Sequence, residues 1–328
     1  VPARTGYVNQ GWSSKKNSEK ATAKAKCTVN KNITLYAVQK KAVQLTFHRC
    51  DGSTWQKTTL AKGSSYSLPG VRDAEGYTFM GWSTKPMQSV SPEYEAEEKI
   101  TVDKNMDLYA VVFNRATETD LTEDQLPQVD IYKYKQVIFV GDSRTEFMEN
   151  VLTGMGESAT KNVKFVCSAG KGLDWFTTTG WAQLYSIVQH DSNSILSKKT
   201  AVIFNFGVND LSKSADYAEY YNWIAPQLKS KGCELYFMSV NPVNRLMLPN
   251  AGRADRSEAA VRSFNQYMKA NLSSDYTYID MYSYLKSTGY SFASDHYGTG
   301  TVDDGLHYTT RTYKRIFAKC MDSLRVPA

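Results

Sequence analysis

From Tyr132 onward the chain alternates short apolar runs of strand length with longer stretches of helical length, and this alternation constrains the fold more than any other feature. The apolar runs are Gln136–Val140, Val163–Cys167, Ala201–Asn205, Glu234–Val240 and Tyr276–Asp280. Helical patterns fall near Ser143–Leu152, Asp216–Lys231 and Arg256–Asn271, and from Thr309 to about Leu324. Alternation at these lengths predicts an α/β unit, with a parallel sheet covered by helices on both faces. Ligands of such sheets collect at the carboxyl ends of the strands, so the residues that follow each run are where chemistry is expected.

Those residues form four blocks. The first run leads into Gly141-Asp142-Ser143-Arg144, the second into Ser168-Ala169-Gly170-Lys171-Gly172, and the third into Phe206-Gly207-Val208-Asn209-Asp210. Just ahead of the last helix stands Asp303-Asp304-Gly305-Leu306-His307-Tyr308-Thr309. Each block also has a bland reading. Gly-Asp-Ser is a common turn, Asn209-Asp210 suits a helix N-cap, and His307 taken alone could be a surface histidine.

Taken together and in order, the four blocks resemble the SGNH hydrolases, also called GDSL-type esterases, over essentially all of Tyr132–Ala328. The resemblance implies a flavodoxin-like three-layer domain with a parallel five-stranded sheet in the order 2-1-3-4-5. It matches Ser143 to the nucleophile, His307 to the general base and Asp304 to the acid that orients it. Asp304 is preferred to Asp303 for its three-residue spacing from the histidine. The backbone N–H of Ser143, that of Gly170 and the side-chain amide of Asn209 match the oxyanion-hole donors. The chemistry asks for these types: a serine hydroxyl is a weak nucleophile until a base takes its proton, and the tetrahedral oxyanion needs fixed donors. A glycine at position 170 lets backbone approach substrate closely, so Ala there is expected to hinder. No metal or other cofactor is called for.

The chain departs from the family pattern at two places. Ser168 stands where the second block often has Asn. Arg144, directly after the nucleophile, is a candidate to hold an anionic group of the substrate, the alternative being a pair with a nearby carboxylate. Trp175, in Gly172-Leu173-Asp174-Trp175-Phe176, is a candidate pocket wall or a core residue. His48, His190 and His296 have no partner pattern around them and read as structural or surface residues.

The first third is built differently. Gly6-Tyr7-Val8-Asn9-Gln10-Gly11-Trp12-Ser13 returns as Gly76-Tyr77-Thr78-Phe79-Met80-Gly81-Trp82-Ser83, and Thr28–Val38 returns as Thr101–Val111, each about seventy residues later. This tandem pattern resembles the Listeria–Bacteroides or internalin B-type repeat, a small β-grasp-like surface module. On that reading residues 1–40 are the back half of a truncated copy, 41–115 a complete copy, 116–131 an acidic linker and 132–328 the hydrolase domain. The resemblance implies an extracellular or cell-surface bacterial protein whose natural chain extends upstream. A start at Val1, without a charged and apolar leader, fits a processed or excised chain.

Composition sets the remaining bounds. With 328 residues, 41% apolar and 22% charged, the chain can bury sizeable cores, and no run approaches the roughly 18 apolar residues of a membrane span. Five cysteines, Cys27, Cys50, Cys167, Cys233 and Cys320, lack CxxC or Cys/His clustering, which argues against a zinc site and a disulfide scaffold. Val1–Lys62 holds twelve Lys and Arg against Glu19 and Asp51, a net +10 that leaves −4 for the rest of a chain totalling +6. That basic end is a candidate contact for an anionic polymer, or else a solvated face, and it lacks the aromatic interleaving of a nucleic-acid platform.

These readings converge on a secreted serine esterase that removes a short acyl group, acetyl first, from a carbohydrate or cell-wall polymer. The polar loop Asn241–Ala254 and the lack of a long apolar lid favour carbohydrate over lipid. The rivals are an O-acyltransferase using the same acyl-enzyme and a non-catalytic adhesin.

Overall fold

A computed structural model describes residues 1, 3–23, 28, 30–87, 90–190, 198–294 and 303–324. Lys24, Lys26, Cys27 and His296 lie outside the described residues, as does the side chain of His190. Two compact units share the chain: Val1–Pro69 with Met80–Val112, and Gly70–Phe79 with Phe113–Ala328.

Among the described residues the N-terminal region is built of strands: β1 (Tyr7–Ser13), β2 (Tyr36–His48), β3 (Thr54–Ala61), β4 (Ser64–Ser67), β5 (Tyr77–Ser83), β6 (Lys99–Val102) and β7 (Met106–Asn114). The main sheet runs β1-β2-β7-β5 with β3 also on β2, while β4 pairs with β6. The repeat seen in the sequence returns in the backbone. Trp12 bridges to Ala23 as Trp82 bridges to Tyr94, and Gly6 and Gly76 open the two copies at φ +77° and +75°. Period-2 patterning turns Val43, Leu45 and Phe47 inward, where Phe47 meets the fully buried Trp82 at 4.9 Å between ring centres. The boundary expected near Lys40 falls inside β2, one uninterrupted strand that closes the first copy and opens the second.

The C-terminal region has the elements β8 (Tyr134–Gly141), α1 (Ser143–Met155), β9 (Val163–Cys167), α2 (Leu173–Trp175), α3 (Trp181–His190), β10 (Lys199–Asn205), α4 (Ser214–Lys229), β11 (Cys233–Met238), α5 (Glu258–Asn271), β12 (Tyr276–Ile279), α6 (Met281–Thr288), β13 (Phe292–Ser294), β14 (Asp303–Tyr308) and α7 (Thr310–Ser323). A π turn over Phe176–Gly180 joins α2 to α3. The five strands pair in parallel in the order β12-β11-β10-β8-β9, which is 2-1-3-4-5 read from the other edge. Both faces are apolar. Ile138 and Val140 enter one core with Leu184, Tyr221 and Phe264, while Phe139 between them stacks on Phe165 and meets Phe317 of α7. Each such buried side chain contributes about 1.5–3 kcal/mol. All five strands and all four helices expected from the pattern are present; α3, α6 and the antiparallel pair β13 and β14 are not among the expected elements.

The acidic stretch 116–131 is not a free linker. Glu118 is buried and accepts hydrogen bonds from Ser291, Thr312 and Arg315, Asp120 pairs with Lys314 at 2.7 Å, and Leu126 and Val129 are buried. The acidic composition of the stretch reads as a linker, but the basic and hydroxyl side chains of α7 supply partners that only the fold brings near. Among the described residues no helix is long and apolar enough to cross a membrane.

Candidate active site

At the end of β8, Asp142 caps α1 by accepting the N–H of Arg144 through its side chain at 3.0 Å. Ser143 thereby becomes the first residue of the helix, a position whose N–H has no partner within the helix. Gly141 is needed for this turn, since a Cβ would overlap Thr145 and come within 2.9 Å of the Asn205 carbonyl.

Strand β14 carries the other half. His307 Nε2 lies 2.9 Å from Ser143 Oγ, and its Nδ1 lies 2.5 Å from Asp304 Oδ2. The second oxygen of Asp304 accepts the N–H groups of Leu306 and His307, both at 2.8 Å. This turn needs Gly305, at φ +68°, where a Cβ would stand 2.5 Å from the Asn244 carbonyl oxygen. Asp303 faces elsewhere, 2.6 Å from Arg115.

Ser143, Gly170, Asn209 and His307 line a single cavity of about 270 Å³, together with Phe147, Arg253 and Arg256. Gly170 adopts φ +70°, a left-handed conformation, and a Cβ there would meet nothing within 4 Å. The left-handed backbone by itself accounts for a glycine at this position. Ala169, beside it, donates its N–H to Glu146 of α1 at 2.6 Å, which ties the second block to the first.

The family profile of the GDSL-like lipase/acylhydrolases matches residues 98–320, well over half of the chain. This chain belongs to that family. As a GDSL-type serine hydrolase it also carries a Listeria–Bacteroides repeat region, matched over residues 1–38 and 44–111. No curated protein matches the chain. Solved structures similar to this hydrolase include a candidate acylhydrolase of Bacteroides fragilis (16% identity, 62% of this chain and 92% of that one, TM-score 0.42). An acetyl xylan esterase is similar at 10% identity, covering 58% and 99% of the two chains with a TM-score of 0.39. The C-terminal catalytic domain of a Streptococcus pneumoniae peptidoglycan O-acetyltransferase is similar at 16% identity, 59% and 94% coverage and a TM-score of 0.35.

Electrostatics in the hydrolase site favour a neutral histidine. Burial disfavours the imidazolium of His307, the charges of Arg144 and Arg253 add to this, and together they outweigh Asp304 and hold the ring below the ordinary histidine value. Burial alone would push Asp304 up, yet the His307 ring and the N–H groups of His307 and Leu306 bring it below the ordinary carboxylate value. A neutral imidazole facing a hydroxyl on one side and a carboxylate on the other can accept the hydroxyl proton and stabilise the resulting charge.

Two expectations are corrected. Arg144 is 2% exposed, and its guanidinium donates to the carbonyls of Leu306, Asn241 and Pro242 at 3.0, 2.9 and 2.9 Å. It joins α1 to β14 and to the loop after β11, it does not line the Ser143 cavity, and among the described residues its guanidinium is bonded to carbonyls and not to a carboxylate. Trp175 packs on Phe206 and against the core and does not line the Ser143 cavity. The residues that sequence reasoning missed are Phe147, whose ring meets His307 edge-on at 4.6 Å, and Arg253 and Arg256. For the two arginines the one signal was position, since the loop after the fourth strand leaves from the carboxyl edge of the sheet; Phe147 stands four residues after Ser143, one turn along α1.

Proposed function

We propose that the chain is an extracellular serine esterase that removes short acyl groups, acetyl first, from carbohydrate through an acyl-enzyme. The observation that carries this reading is the Ser143–His307–Asp304 chain of hydrogen bonds opening into a small cavity. Ser143 Oγ attacks the ester carbonyl as His307 Nε2 takes its proton. The tetrahedral oxyanion is held by the N–H groups of Ser143 and Gly170 and the amide of Asn209. Collapse breaks the bond to the alcohol, which leaves with the proton from His307, and water then repeats the sequence to release acetate and free Ser143.

A cavity of about 270 Å³ suits an acetyl group rather than a long chain. Both the repeat region and its charge support a surface setting. In the N-terminal unit a cleft of about 630 Å³ is lined by Arg4, Lys40, Lys41 and Lys62 beside Glu19 and Asp103, a candidate contact for anionic polymer. The test is hydrolysis of p-nitrophenyl acetate and butyrate, with acetate release from acetylated xylan and O-acetylated peptidoglycan, by wild type and Ser143→Ala. Acetate release by wild type alone supports the reading. Turnover of the butyrate ester above the acetate ester overturns the acetyl preference, and acyl transfer to added sugar in place of acetate release supports an O-acyltransferase.

A further inference from the structure

Arg256 stands one residue before Ser257, the N-cap of α5. Its guanidinium grips the third block at the wall of the Ser143 cavity. Nε donates to the Val208 carbonyl at 2.6 Å and Nη2 to Asn209 Oδ1 at 2.8 Å, while Nη1 donates to the Ala254 carbonyl at 2.9 Å. On its other side Asn209 Nδ2 donates to the Lys171 carbonyl at 2.8 Å. A guanidinium can only donate and a carbonyl can only accept, so both neighbours demand the same orientation of the carboxamide. Its oxygen must face Arg256, and its NH₂ must face the second block. Lys171 uses one of the two hydrogens on Nδ2, which leaves one for a ligand in the cavity that Asn209 lines with Ser143 and Gly170.

We infer that Arg256 is a positioning residue that fixes the Asn209 carboxamide so that an N–H, and never the oxygen, faces the developing oxyanion. The inference rests on the proposed role of Asn209 as an oxyanion donor. An asparagine held only at Lys171 would keep one constraint on a rotor that turns easily about its last bond, and a carbonyl turned toward the oxyanion would repel it. The same bonds join the blocks: Arg256 holds the backbone at Val208, and Asn209 holds the loop that carries Gly170. Arg253, in the same loop, reaches Asp304 Oδ2 at 3.5 Å, so this loop braces both ends of the reacting groups.

The test compares kcat and KM on p-nitrophenyl acetate for wild type, Arg256→Ala, Arg256→Lys, Asn209→Ala and the double Ala variant. Losing an oxyanion donor costs about 10²–10³ in kcat, so Asn209→Ala should fall in that range and Arg256→Ala by about tenfold or more, both with KM nearly unchanged. The double variant should be no slower than Asn209→Ala, and guanidinium ion should restore part of kcat to Arg256→Ala without helping Asn209→Ala. Arg256→Lys keeps the charge and most of the volume but cannot hold Val208 and Asn209 together, so it too should lose kcat, and it serves if the Ala variant fails to fold. An Arg256 variant within twofold of wild type beside an impaired Asn209→Ala overturns the inference, as does a double variant that loses the product of both effects. Full kcat in Asn209→Ala removes Asn209 from the oxyanion hole, and the inference falls with that reading.

Discussion

Ser143 and His307 stand 164 residues apart in the chain and 2.9 Å apart in space. The contact depends on two turns that leave no room for side chains, Gly141 before the serine and Gly305 before the histidine. It also depends on Arg144, which spans from α1 to the carbonyl of Leu306 and so ties the helix of the one to the strand of the other.

This contact should make Ser143 selectively reactive. A fluorophosphonate probe is expected to label wild type at one serine, and Ser143→Ala not at all. His307→Ala should label more slowly by about 10³-fold or more, because the hydroxyl then lacks its base. Mass spectrometry of the labelled peptide decides it; equal labelling of His307→Ala would break the proposed base.

The environment of His307 sets the pH response. Burial holds its folded value below the ordinary one of about 6.5, so the ring stays neutral and able to accept a proton to lower pH than a free histidine would. The acid limb of kcat/KM should therefore have its midpoint below about 6.5. The unfolded chain binds that proton more readily, so this group should also lower stability as pH falls through the same region. A midpoint at or above 6.5 contradicts the assignment.

The two adjacent aspartates should separate cleanly. Asp304→Asn removes the carboxylate that holds the histidine tautomer and is expected to cost about 10²–10⁴ in kcat. Asp303→Asn removes the 2.6 Å ion pair with Arg115, which should lower stability by about 1–3 kcal/mol and leave kcat within a few-fold. Reversed effects, read by kinetics and thermal unfolding, would return the role to Asp303.

Two glycines with positive φ should differ in the same way. Gly170→Ala meets no atoms within 4 Å, so its cost is that of a left-handed alanine, about 1–2 kcal/mol. Gly207→Ala at φ +129° would put its Cβ 2.5 Å from Phe264 Cζ and 2.9 Å from Val240 Cγ2, inside the core. It should be much the more destabilised, or fail to fold. Equal melting temperatures for the two would show that Phe264 yields.

The sequence by itself determined the order of the five sheet strands and of α1, α4, α5 and α7 in the hydrolase unit, the tandem repeat, and which residue types stand at the strand ends. These are local properties: period-2 and period-3.6 patterning, turn chemistry, and the recurrence of Gly-Tyr and Gly-Trp at fixed offset. The tertiary structure decided which neighbours those residues meet. Arg144 reads as a holder of a substrate anion or the partner of a carboxylate until three carbonyls distant in sequence surround it. Trp175 reads equally as a pocket wall or a core residue until its packing on Phe206 chooses the core. The acidic stretch around Glu118 reads as a linker until α7 brings Thr312 and Arg315 to it. Arg256 carries no signal in sequence beyond its place in the loop after the fourth strand, because its role exists only through Asn209, 47 residues away. Burial and hydrogen-bond partners across such separations follow from packing, and no local pattern encodes them.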